Sequence, residues 1–141
     1  MTVSFKRISA GAMLMAPLMG NAYAANNACP APGGIKQTAG EYGGYTYTAP
    51  VGNGQQWSGE NPMAKDSDLA RLVFKEAYIH NQKSFVTCDY VVRDGRGGVR
   101  MVLKTTGPVK ATGNSWRDAR QSDGTVLQSC AGGNPALCAF E

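Results

Sequence analysis

The stretch LVFKEAYIHNQKSFVTCDYVVRDGRGGVRMVLKTT (residues 72–106) decides the fold. Three of its segments are dense in β-branched and aromatic residues: LVFKEAYIHN, SFVTCDYVV and GVRMVLKTT. QK separates the first two, and RDGRG precedes the third. Turn formers at these breaks predict two successive hairpins, a meander. Alternation in the second segment puts Val86, Cys88, Tyr90 and Val92 on one face. In the third, Val99, Met101 and Leu103 share a face, and Arg100 and Lys104 point the other way. A half-buried antiparallel sheet needs that division. The approach to the stretch reads two ways. Asp66, Ser67 and Asp68 are good helix N-caps, and Ala70, Val73, Phe74 and Ala77 share one helical face. A short helix therefore competes with a strand over residues 66–80.

Upstream, PAPGG opposes helix and predicts an extended arm. IKQT is a short strand candidate, YTYTA alternates aromatic and threonine as a strand does, and PVGNG turns the chain into QQWS. Downstream, NSWRDARQSDG reads as a loop with one helical turn, followed by the strand TVLQSC. Together these elements predict a mainly β domain. It is a small antiparallel β-sandwich or open barrel with at most one short helix.

At the start of the chain, Lys6 and Arg7 precede an apolar run from Ile8 to Met19, and NAYAA follows. Ala22 and Ala24 form a small-x-small site, so residues 1–24 read as a secretory signal peptide cleaved after Ala24. The run is shorter than the roughly 20 residues of a spanning helix, and Pro17 interrupts it. The expectation is a single domain over residues 25–141, periplasmic or secreted, with no membrane insertion after cleavage. Losing Lys6 and Arg7 lowers the formal charge from +4 to +2, which makes no strong electrostatic demand for nucleic acid.

The four cysteines, Cys29, Cys88, Cys130 and Cys138, all follow the leader. An even count in an exported domain reads as two disulfides. The turn-rich AGGNPAL favours Cys130 with Cys138, which leaves Cys29 for Cys88. There is no C-x-x-C and only one histidine, His80, so no metal or other cofactor is expected.

Catalysis finds few candidates. A Cys-His or Ser-His arrangement has only His80 to draw on, and YIHNQ reads as a solvated turn. GNGQQW lacks the third glycine and the strand-helix context of a phosphate loop. RDGRGG occurs once and is better read as a hairpin turn than as an RNA-binding box. Glu60 with an aspartate is the carboxylate pair a hydrolase would use.

Binding residues are easier to name. Trp57 lies among Gln55, Gln56, Glu60 and Asn61, with Tyr42, Tyr45 and Tyr47 upstream. That group reads as a glycan or protein contact, although a tryptophan in a small β domain is equally a core anchor. Arg100 and Lys104 form a cationic stripe, or else the protective charges of an edge strand.

Cys29-Pro30, GNGQQW, FKEA, Val86-x-Cys88-x-Tyr90, Cys130 and Cys138-x-Phe140 together resemble a family of small exported proteobacterial domains of unknown function. The resemblance implies export, disulfides and a compact β-rich domain, and it brings no functional residues. The expected function is a non-enzymatic binding module for a protein or an envelope glycan, with an inhibitor or immunity protein as one version. The alternatives are a small envelope polysaccharide hydrolase and a structural subunit of a surface assembly.

Overall fold

The structure is a computed structural model that describes residues 27–141. The expected leader lies outside the described residues. The strands are β1 (Asn27–Ala28), β2 (Lys36–Ala39), β3 (Tyr45–Gly52), β4 (Gln55–Asn61), β5 (Leu72–His80), β6 (Phe85–Val92), β7 (Gly98–Lys104), β8 (Trp116–Arg120), β9 (Val126–Ala131) and β10 (Ala139–Phe140). Eight form one antiparallel sheet in the order β2-β3-β4-β7-β6-β5-β9-β8, and β1 pairs with β10 in a separate ribbon. The two end strands, β2 and β8, do not pair with each other, so the sheet stays open. The mainly β, antiparallel expectation holds, and so does the meander β5-β6-β7.

The inner face follows the expected alternation in β6 and β7: Val86, Cys88, Tyr90, Val92, Val99, Met101 and Leu103 are all buried. In β5 the alternation breaks. Leu72 and Phe74 point inward, but so do Ala77 and Ile79, because a bulge between Phe74 and Glu76 shifts the register. The extra residue flips the parity of everything after it. It also leaves Phe74 and Ala77 three residues apart, and this is why the segment imitates a helix. The helical start shrinks to one 3-10 segment, Asp66–Arg71. There the Asp68 carboxylate accepts the Lys65 backbone N–H at 2.9 Å. Past Arg71, β-branched and aromatic residues do better in the sheet.

One row of residues organises the inner face. Register places Met101, Cys88, Ala77, Cys130 and Trp116 side by side across β7, β6, β5, β9 and β8. The first four have no solvent exposure. Cys88 is bonded to Cys29 and Cys130 to Cys138, the favoured pairing, with Cα separations of 5.8 and 5.6 Å. Cys29 immediately follows β1 and Cys138 immediately precedes β10. The two bridges therefore hold both strands of the ribbon down on the sheet, one on each side of Ala77.

Phe140 of the ribbon then packs edge-on against Trp57, with ring centroids 6.1 Å apart. The Trp116 indole N–H donates to the Ala139 carbonyl at 2.8 Å. The N-terminal arm is fastened by the Tyr90 hydroxyl, which donates to the Pro30 carbonyl.

Residues 116–120, expected as a loop with a helical turn, are the edge strand β8. Arg117, Asp118 and Arg120 disguise it, yet exposed charge is what protects an edge from pairing with another chain. The hairpin to β9, with Trp116 opposite Cys130, overrides the low strand propensity of this segment.

Ala77 sits where a larger side chain has no room. Ala77→Leu in the oxidised protein should lower stability by about 1–3 kcal/mol through overpacking, measured by urea unfolding with the disulfides confirmed by mass spectrometry. An unchanged midpoint would mean that the gap between the bridges is looser than the burial implies.

Candidate functional site

The sequence grouped Trp57 with Gln55, Gln56, Glu60 and Asn61, but strand geometry separates them. Trp57 points inward and is 2% exposed. Gln56, Ser58 and Glu60 point outward from the same strand, and exposed Gln55 lies at its start. A ligand cannot reach the indole, so Trp57 is a core anchor rather than a contact. Asn61 is also committed internally. Its side-chain N–H donates to the Gly98 carbonyl at 2.8 Å, and its side-chain oxygen accepts the Met63 N–H at 2.9 Å.

Arg100 and Lys104 do face outward, as expected, but β7 is no edge. It lies between β4 and β6, in the interior of the sheet. Arg100 is also not a free cation. It forks onto Asp89, with Nε donating to Oδ1 at 2.7 Å and Nη2 to Oδ2 at 2.9 Å.

The outer face of β4, β7, β6 and β5 is therefore where the exposed candidates meet. Ser58, Val102, Thr87, Tyr78 and Ser129 lie in one cross-strand row. On one side of that row, Glu60, Lys75, Asp89 and Arg100 line a shallow depression. On the other, Gln56 and Lys104 share a second depression, with Phe85 opposite Lys104 and His80 opposite Phe85. Gly59 allows β4 to come this close to β7, since a Cβ there would lie 2.3 Å from the Arg100 carbonyl oxygen.

The aromatic part of this face was not named from the sequence. His80 stacks on Phe85 with centroids 4.3 Å apart, and Tyr78 lies 6.1 Å from the imidazole. The inward set of β6 implied its outward complement, Phe85, Thr87 and Asp89. The β5 bulge hid the matching positions of Tyr78 and His80.

Electrostatics tune the same cluster. A hydrogen bond to the Glu76 carboxylate, helped by partial burial, pushes the Tyr78 phenol up to about 12. Partial burial, with Arg100 and Lys83 nearby, holds His80 below its ordinary value of 6.5. His80 is thus no solvated turn residue. Its Nε2 lies 3.2 Å from the Thr87 hydroxyl. That contact looks like a base and a nucleophile, but Thr87 is only 1% exposed. A substrate cannot approach its oxygen. Among the described residues, no group of three His, Cys, Asp or Glu is placed to hold a metal, and no helix is long and apolar enough to cross a membrane.

Two predictions follow from these placements. Trp57→Ala should cost about 3–5 kcal/mol of stability, read by thermal or urea unfolding, because it empties the space under Phe140. Retention of the native midpoint would contradict the core assignment. For His80, the folded state resists protonation, so the unfolded state takes up the proton first. Stability from this residue is complete above pH 6.5 and falls as pH drops towards the depressed folded value. In urea titrations below pH 6.5, His80→Gln should flatten that slope. An identical slope in the variant would show that His80 is not its source.

The two disulfides are consistent with an oxidising, extracytoplasmic compartment. No curated protein and no solved structure matches the chain. The family described as "Protein of unknown function (DUF3757)" matches residues 24–141, nearly the whole chain, and the protein belongs to that family.

Proposed function

We propose that the protein is an exported, non-enzymatic binding module that works from the outer face of β4, β7, β6 and β5. Its target is a protein or an envelope glycan, and an inhibitor or immunity role is one form of this. Export rests on the leader pattern of residues 1–24 together with the bridges, which suit the periplasm or the extracellular space.

One observation carries the reading. The half-exposed group Tyr78, His80 and Phe85 sits beside the Arg100–Asp89 fork on interior strands. Aromatic and arginine side chains are the usual anchors of macromolecular contacts. Interior strands hold them in place before a partner arrives, which lowers the ordering cost of association. The depressions are open and shallow, so a broad surface suits them better than a small enclosed ligand.

A carboxylate-pair hydrolase finds less support. Asp89 lines the depression together with Glu60, and Arg100 already occupies both of its oxygens. A surface-assembly subunit would use the edges β2 or β8 for strand addition.

The test is a double substitution, Phe85→Ala with Arg100→Ala, in the oxidised protein lacking residues 1–24. Pull-down from envelope extract and a glycan array should both be run. The expected result is a loss of about tenfold or more in the retained signal, equivalent to ~1.4 kcal/mol, with the melting transition still cooperative. Equal capture by variant and wild type would remove the outer face as the working surface. Turnover of peptidoglycan that disappears with Glu60→Gln would replace the binding reading with the hydrolase.

A further inference from the structure

At one end of the sheet, the turn leading into β3 forms a second feature, which adjoins the outer face at Glu60. Glu41, Tyr42, Tyr45, Thr46, Glu60 and Pro62 line a hollow there. Two large side chains have little to cover them: Tyr42, part of the lining, is 92% exposed, and Met63, next in the chain to the lining residue Pro62, is 83% exposed. Among the described residues, neither Glu41 nor Glu60 takes part in an ion pair. Arg100, which lines the neighbouring depression with Glu60, is held by Asp89.

The turn is built to hold this arrangement. The Gly40 N–H donates to the Gly44 carbonyl at 2.9 Å, and the Gly43 N–H donates to the Gly40 carbonyl at 3.4 Å. Gly44 has φ +61°, and a Cβ on it would fall 2.1 Å from the Asn61 carbonyl oxygen. Asn61 is itself tied to Gly98. The tip carrying Glu41 and Tyr42 therefore rests directly on the β4 end that carries Glu60.

We infer that this hollow receives a lysine or arginine side chain from a basic segment of a protein partner. The inference rests on reading the chain as a binding module, and it names the partner's chemistry. Among the described residues neither carboxylate is ion-paired, and Lys75, which lines the neighbouring depression with Glu60, is not part of this hollow's lining. The two carboxylates therefore attract a cation, and phenol faces add cation–π attraction. The chain as a whole has a positive formal charge, so a negative lobe is a local feature rather than the general surface potential. The exposed Tyr42 and Met63 select a protein over an amino sugar. Aromatic and methionine side chains are enriched in protein interfaces, where they meet apolar counterparts.

The experiment uses the oxidised protein lacking residues 1–24 and a fluorescent hexalysine peptide, with hexaglutamate as the opposite-charge probe. Fluorescence polarisation should show salt-sensitive binding of hexalysine only. Glu41→Gln with Glu60→Gln should weaken it by about tenfold or more. Tyr42→Ala should also weaken it, whereas Tyr42→Phe, which keeps the ring face, should not. Asp123→Asn, at a remote exposed carboxylate, should have no effect.

Equal binding by wild type and the double Gln variant would overturn the inference, as would an equal loss with Asp123→Asn. Tighter binding of a glucosamine oligomer than of hexalysine would overturn the choice of partner. So would a dimer on size-exclusion chromatography that the double Gln substitution dissolves, since the occupant would then be a second copy. If a Glu41→Gln, Tyr42→Ala variant, altered only at residues away from the outer face, lost hexalysine but still captured the same envelope partner, this inference would fall and the binding-module reading would stand.

Discussion

Two disulfides meet the sheet on either side of one alanine, and the rest of the molecule is arranged around that constraint. Ala77 lies between Cys88 and Cys130 in the fully buried row of the inner face. Each bridge reaches to one strand of the terminal ribbon. On the chain-entropy account, the 59-residue link contributes about 4 kcal/mol and the 8-residue link about 2.5 kcal/mol. A domain of this size has a modest apolar core, so such terms are a large share of its net stability. They also fix position. With the ribbon held down, Phe140 can close over Trp57, and the Ala139 carbonyl can meet the Trp116 indole.

Fastening the inner face has a consequence for the outer one. Strands β7, β6 and β5 cannot shift register without breaking the row that carries the bridges. Their outward residues are therefore fixed with equal accuracy, since a slip of one residue would exchange the two faces. That fixes Asp89 opposite Arg100, and Phe85 between His80 and Lys104. The Arg100–Asp89 fork is largely exposed on the arginine side and adds little stability by itself. Its contribution is position: the two hydrogen bonds to Asp89 hold one guanidinium in place on the outer face.

Charge is distributed unevenly over this framework. Lysines and arginines outnumber carboxylates in the chain, yet Glu41 and Glu60 converge at one end of the sheet with Tyr42 and Tyr45. The aromatic face and this acidic end share Glu60, which lines both depressions. A partner broad enough to lie on the central strands would reach both.

The sequence by itself determined the mainly β antiparallel class, the central meander, the faces of β6 and β7, the outward direction of Arg100 and Lys104, and a correct preference for the disulfide pairing. Each of these rests on local information: residue parity, turn composition and the closeness of Cys130 to Cys138. Only the tertiary structure decided the rest. The β5 bulge, which no local pattern announces, set the outward places of Tyr78 and His80. Pairing with β9 made a strand of the charged segment holding Trp116. Packing against Phe140, a residue 83 positions away in the chain, sent Trp57 inward and left Glu60 to the surface. Long-range contacts settle such choices because a side chain's environment depends on which strands lie beside its own, and strand order is not written in any one segment.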